Sequence, residues 1–134
     1  MENTKKLGLE LYQNLGKLFY AIASADHRIH KKEISKLRSF LRKYWLDVDE
    51  VEDEYGTDAA FQIESVFDWL LENEKDSESC YEDFLEFYNE ESRLFSPFVK
   101  DLILDTANAI ANSFSGKNKA ELVMLGKLQL LIKK

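Results

Sequence analysis

The chain of 134 residues is 45% hydrophobic and 13% aromatic, a composition that fits one globular domain and excludes a disordered chain. Its single cysteine, Cys80, excludes an intramolecular disulfide and a cysteine-rich zinc site. The net charge of −7 is divided among a basic block of +6 (1–46), an acidic block of −17 (47–91) and a basic block of +4 (92–134). Because the acidic block repels phosphate, we expect no nucleic-acid partner.

The first half of the chain predicts two helices and an acidic connection. Apolar residues recur at helical spacing between Leu11 and Ile22, which predicts a first helix over 5–25. A second apolar stripe predicts a helix over 31–45. The run 47–58 is acidic and has too few apolar residues for a core helix, so we interpret it as a connection.

Two further helices are predicted over 59–74 and 78–92, where apolar residues again recur at helical spacing. Phe87 and Phe95 lie off the main apolar stripe, so one of the two is a candidate for exposure and for a contact surface. The aromatic side chains at helical spacing are interpreted as core, and they are Trp45, Trp69, Tyr81, Phe84, Phe87 and Tyr88.

Capping residues mark the last two helix starts. Ser96 followed by Pro97 is typical of a cap and a first helical position, and this pair predicts a fifth helix. Asn118 caps a sixth helix that continues to the end of the chain, and Glu121 lies at the capping-box position three residues later. No stretch alternates with period two, so we expect a single all-α domain of about six helices over 1–134.

Residues 21–37 and 109–125 are similar to each other at a shift of 88 positions. The similarity is imperfect, since Asp26 is aligned with Phe114. Such a repeat inside a small domain indicates a weak internal duplication and a pseudo-symmetric fold. The identical pairs are Ala21/Ala109, Ile22/Ile110, Ala23/Ala111, Lys31/Lys119, Glu33/Glu121 and Leu37/Leu125.

The segment around Asp26 and Glu33 has more than one interpretation. As caps, the carboxylates satisfy free backbone amides, and Glu33 lies three residues after His30, the presumed cap position. As ligands, they would join Glu121 in holding a divalent cation, with water or other acids completing the coordination shell. The pair His27 and His30 could add imidazole ligands for a transition metal, although two exposed histidines are the simpler interpretation.

Catalytic motifs are missing from the sequence. It contains no GxSxG, no phosphate-binding glycine loop and no HPD tripeptide. Cys80 lies close in sequence to Glu78 and Glu82, which disfavour its thiolate, so it is a poor nucleophile and we expect no enzyme. The start of the chain lacks a secretory signal and the apolar runs are too short for a bilayer, so we expect a cytoplasmic protein without a membrane segment.

The pattern Ala25-Asp26-x-x-Ile29-x-x-x-Glu33 lies between a helix of small apolar residues and an amphipathic helix. In this respect the chain resembles the TerB-like tellurite-resistance family, which also includes the membrane-proximal domain of some DnaJ-like co-chaperones. The likeness covers roughly 10–45 and again 100–130, whereas the acidic middle of the chain matches only in being helical. It implies a compact all-helical fold with an internal duplication, and a metal site made of clustered acidic residues.

Carried over residue by residue, the metal site that the resemblance implies consists of Asp26, Glu33 and Glu121. The chain departs from the family pattern at two positions: His27 stands where the family usually has glycine, and Phe114 stands where the second copy would have its aspartate. The metal site that the resemblance implies therefore has one carboxylate fewer in this chain than in the family pattern.

These observations lead to two hypotheses about function. The first is a cytoplasmic, stress-associated binding domain that presents the acidic block 47–91 to a basic protein partner or to cations. The charge pattern also has a simpler interpretation, in which the two basic blocks fold together and the acidic block is a solvated surface. The alternative is a divalent-metal protein centred on Asp26, Glu33 and Glu121. No organic cofactor is indicated, and the oligomeric state is left open.

Overall fold

The structure is a computed structural model that describes the backbone of residues 2–24, 31–45, 59–113 and 119–132. Side chains are described for residues 10–24, 34–43, 45, 61–111 and 123–132. Within these segments there are six α-helices, one short 3₁₀ turn and no strand. The helices are α1 (Glu2–Ala23), α2 (Lys31–Trp45), α3 (Ala59–Glu72), α4 (Ser77–Glu90), α5 (Pro97–Ser113) and α6 (Lys119–Ile132), and the 3₁₀ turn is Ser92–Leu94.

The prediction of an all-α chain with about six helices is confirmed. Helix α2 has the bounds that the apolar stripe predicted, and α5 begins at Pro97. The Ser96 hydroxyl accepts a hydrogen bond from the backbone N–H of Val99 at 3.2 Å, as expected of a cap. The 3₁₀ turn at Ser92–Leu94 has no counterpart among the predicted elements. The predicted cap Asn118 and the acidic connection 47–58 lie outside the described residues.

Helix α1 is central to the fold and packs against α3, α4, α5 and α6. Every residue from Leu18 to Ala23 is buried, so the C-terminal end of the helix is enclosed on all sides. Gly16 allows α3 to approach closely, because a Cβ atom at this position would lie 2.9 Å from Val66 Cβ and 3.1 Å from the carbonyl oxygen of Ile63.

Helix α2 packs against α3 and α5, and a buried hydrogen bond joins it to α5. The indole N–H of Trp45 donates to the Thr106 hydroxyl at 2.9 Å. That hydroxyl in turn donates to the backbone carbonyl of Leu102 at 2.8 Å. Trp45 and Thr106 are both fully buried, so this chain of bonds satisfies the only polar atom of an indole that has no access to water.

The sequence repeat corresponds to equivalent helix starts and equivalent core positions. Helices α2 and α6 begin at Lys31 and Lys119, which lie 88 positions apart, as the shift between the two copies predicts. Within the described part of each copy, Ile22 and Ile110 are fully buried, and Leu37 and Leu125 are also buried. The two copies therefore share the placement of their second helix start and of these buried positions.

An aromatic cluster covers the C-terminal end of α4. The ring of Phe95 lies 6.0 Å from Phe84, 6.1 Å from Phe87 and 4.6 Å from Tyr88, measured between centroids. Both Phe87 and Phe95 are buried in this cluster. The expectation that one of them is exposed is therefore wrong, because the 3₁₀ turn brings Phe95 back onto α4 and each ring covers the other.

Candidate functional site

The predicted metal-site residues lie at the edges of the described structure. Asp26 is outside the described residues, together with His27 and His30. Glu33 is the third residue of α2 and Glu121 the third residue of α6, and only their backbone is described. Among the residues whose side chains are placed, no group of three His, Cys, Asp or Glu could hold a metal ion. The site at Asp26, Glu33 and Glu121 stays a prediction.

Helix α4 separates its acidic residues from its apolar ones. An N-cap fixes its start, because the Asp76 carboxylate accepts a hydrogen bond from the backbone N–H of Ser79 at 2.9 Å. The buried side of the helix carries Ser77, Cys80, Tyr81, Phe84, Phe87 and Tyr88. The exposed carboxylates, which we call the α4 acidic surface, are Glu78, Glu82, Asp83, Glu86 and Glu90.

The α4 acidic surface makes one ion pair with the described part of the chain. The Lys17 ammonium on α1 lies 3.2 Å from an Asp83 carboxylate oxygen, and both side chains are substantially exposed. Exposed pairs of this kind contribute about 0–1 kcal/mol to stability. The packing of α4 against α1 comes from its apolar side, so the fold does not depend on the remaining carboxylates.

Two acidic residues of α3, Glu64 and Asp68, have a different environment from the acidic residues of α4. Arg38 donates to the Asp68 carboxylate at 2.8 Å, and Arg42 donates to the Glu64 carboxylate at 3.0 Å. The hydrogen bond and the charge of Asp68 raise the pKa of the Arg38 guanidinium. The Glu64 side chain is only 11% exposed, whereas that of Arg42 is 67% exposed. These two pairs join α3 to α2, so Glu64 and Asp68 already have basic partners within the described residues.

Trp69 is 54% exposed, so its interpretation as a core residue is wrong. The buried stripe of α3 contains Ile63, Phe67 and Leu70. Trp69 precedes Leu70 by one position and therefore points about 100° away from it around the helix axis. The indole instead contacts the Lys75 ammonium, which lies 5.3 Å from the ring centroid in a cation–π arrangement.

The turn between α3 and α4 holds Lys75 in place. The backbone N–H of Glu74 donates to the carbonyl of Leu71, and that of Lys75 donates to the carbonyl of Leu70, both at 3.1 Å. Glu74 has a φ of 48°, which completes a Schellman-type helix end with a residue other than glycine in the left-handed region. The Tyr20 hydroxyl adds a bond of 2.7 Å to the Lys75 carbonyl, which fastens the turn to α1.

Cys80 lies beneath the α4 acidic surface as a buried free thiol. Burial raises the pKa of this thiol, and the negative charge of Asp83 adds to the effect. The expected low thiolate content is confirmed, although burial is its main cause and not the nearby glutamates. Burial also raises the pKa of the neighbouring Tyr81 phenol. Both groups stay protonated at neutral pH and are unsuited to nucleophilic chemistry.

Comparison of the chain with protein-family models, with curated proteins and with solved structures gives no match. A search of the described helices finds none with the length and apolarity needed to cross a membrane. The described surface carries the α4 acidic surface and, beside the α3–α4 turn, the exposed indole of Trp69.

Proposed function

We propose that this chain is a TerB-like helical binding domain whose α4 acidic surface binds a basic protein partner. The observation that carries the proposal is the set of five exposed carboxylates on one helix, of which only Asp83 has a basic partner among the described residues. The TerB-like assignment rests on the Asp26 and Glu33 pattern and on the repeat. The equivalent starts of α2 and α6 support it.

The physical case for a basic partner rests on where the charge lies. Five like charges on one side of a helix create a negative potential that attracts cationic groups and accelerates their encounter. The charges repel one another, and this repulsion is relieved when a partner supplies lysine or arginine side chains. By contrast, the carboxylates of Glu64 and Asp68 already accept hydrogen bonds from arginines of α2, so they are less available to the cationic groups of a partner.

The proposal can be tested with a labelled amphipathic peptide of lysine and leucine as a probe. The double variant Glu82→Lys/Glu86→Lys reverses two carboxylates in the middle of the α4 acidic surface. The double variant Asp101→Lys/Asp105→Lys is a matched control, since these exposed α5 residues have the same spacing and the same change in net charge. Circular dichroism of each variant checks that the helices are intact.

We expect fluorescence anisotropy to show about a tenfold or greater loss of affinity for the α4 variant and a much smaller loss for the α5 variant. Affinity should also fall as salt increases, because screening weakens contacts between exposed charges. Equal losses in the two variants would show that only net charge matters, and the α4 acidic surface would then not be a specific site.

A divalent-cation site at Asp26, Glu33 and Glu121 is the alternative proposal. The observation in its favour is that Glu33 and Glu121 occupy the same position in helices with equivalent starts. That position also suits a carboxylate that binds free amides at a helix start, which needs no metal. Calorimetric titration with calcium, magnesium, manganese and zinc distinguishes a cation site from capping alone. A heat of binding that the native protein shows and the double variant Asp26→Asn/Glu33→Gln lacks would favour the cation site.

A further inference from the structure

The exposure of Trp69 is unusual for the largest side chain in the chain. Its counterpart Trp45 is fully buried and hydrogen-bonded, whereas Trp69 is 54% exposed on the outer side of α3. Indoles have a large apolar surface, and tryptophan is enriched among the residues that dominate binding at protein interfaces. A half-exposed indole on a well-packed helix is therefore a candidate anchor for a partner.

The surroundings of Trp69 indicate the charge of that partner. One turn further along α3 is Glu72, and the following turn carries Glu74 and Asp76, all of them exposed. The single basic residue among them is Lys75, whose ammonium lies 5.3 Å from the indole centroid. The ring thus already binds a cation in an acidic environment, which is where a lysine or arginine from another protein would be most strongly attracted.

Lys75 is placed so that it can be replaced by another cation. Its backbone is fixed by the helix end and by the Tyr20 hydroxyl, while its side chain is exposed. A rotation of the side chain therefore uncovers the indole without any change in the turn. Exposed cation–π contacts contribute only about 0.5–1 kcal/mol, so an arriving basic group can compete with this one.

We propose that the Trp69 face, consisting of Trp69, Glu72 and the turn 73–76, binds a basic amphipathic segment of a partner protein. A lysine or arginine of that segment stacks on the indole in place of Lys75, and an adjacent apolar side chain covers the rest of the ring. Charge complementarity selects this occupant, since the acidic residues around the indole disfavour an acidic or purely apolar one. This inference rests on the proposed function and names the anchor of the same interaction.

The test uses the full chain and the lysine–leucine peptide as a probe. Trp45 is fully buried, so acrylamide quenching of the native protein reports mainly on Trp69. We expect the bound peptide to reduce this quenching and Trp69→Ala to weaken binding by about tenfold. Phe98→Ala is the matched control, because Phe98 is a similarly exposed aromatic residue on α5 (61%) and its loss should leave affinity unchanged.

Lys75→Ala separates stacking from general attraction. Removal of Lys75 should tighten peptide binding in the protein that has Trp69, because the ring is then free. In a Trp69→Ala background the same change should have a smaller effect, limited to the loss of one repulsive charge. An equal gain in both backgrounds would overturn the stacking step, since it would show that Lys75 acts only through its charge.

Three other results would also overturn the inference. If Trp69→Ala binds the peptide like the native protein while Glu82→Lys/Glu86→Lys does not, the proposed function survives and the Trp69 face is not its anchor. If the peptide fails to bind the native protein even at low salt, the proposed function fails and this inference fails with it. If sedimentation shows self-association that Trp69→Ala abolishes, the occupant is a second copy of this chain.

Discussion

The buried hydrogen bond between Trp45 and Thr106 provides a direct test of how α2 is attached to α5. Thr106→Val keeps the shape of the side chain and removes the hydroxyl that accepts the indole N–H at 2.9 Å. Trp45 is fully buried, so no water can replace the lost acceptor. Leaving such a donor unsatisfied costs about 1–3 kcal/mol. For a domain of this size that corresponds to a fall of roughly 3–5 °C in Tm per kcal/mol.

The assay is urea unfolding of a double-mutant cycle. Thr106→Val is measured in the native protein and again in Trp45→Phe, which has no indole N–H. We expect Thr106→Val to cost about 1–3 kcal/mol in the first background and close to nothing in the second. The same loss in both backgrounds would refute the reasoning, because the hydroxyl would then stabilise the protein through something other than the indole.

Two further predictions concern the α3–α4 turn and the buried thiol and phenol groups. Glu74→Gly should raise the free energy of unfolding by about 1 kcal/mol in urea melts, because glycine adopts the left-handed backbone of that residue (φ 48°) without strain; a loss of stability would contradict this. Burial raises the pKa values of Cys80, Tyr20 and Tyr81 in the folded protein, so the folded state holds these protons more tightly than the unfolded state. These three groups should therefore contribute fully to the free energy of unfolding below about pH 8.5, and that contribution should decrease as the pH rises through the range in which thiols and phenols ionise. Unchanged melts up to about pH 10.5 would contradict this prediction.

Features with local signals could be predicted from the sequence. The start of α5 follows from Ser96 and Pro97, because both residues act within the first turn of the helix itself. The Asp76 cap of α4 is a local signal of the same kind, which the predicted helix start at residue 78 does not use. The exposure of Trp69 could also have been found, since its angle from the Ile63–Phe67–Leu70 stripe follows from the helical period alone.

Other features depend on contacts between distant residues and have no local signal. The pairing of Asp68 and Glu64 depends on α2 lying beside α3, which brings Arg38 and Arg42 to them across more than 20 positions of sequence. Likewise, the burial of Phe95 depends on a single 3₁₀ turn that reverses the chain. Neither arrangement follows from composition or periodicity, because both require the tertiary packing.

The most direct test of the proposed function is to map where a basic peptide binds by NMR. The lysine–leucine peptide is titrated into ¹⁵N-labelled protein, and backbone amide shifts are followed residue by residue. We expect the largest changes along α4, at Glu78 to Glu90, and in the turn that contains Lys75, with little change along α5. Changes spread evenly over the surface, or concentrated away from α4, would contradict the claim that α4 presents the binding site.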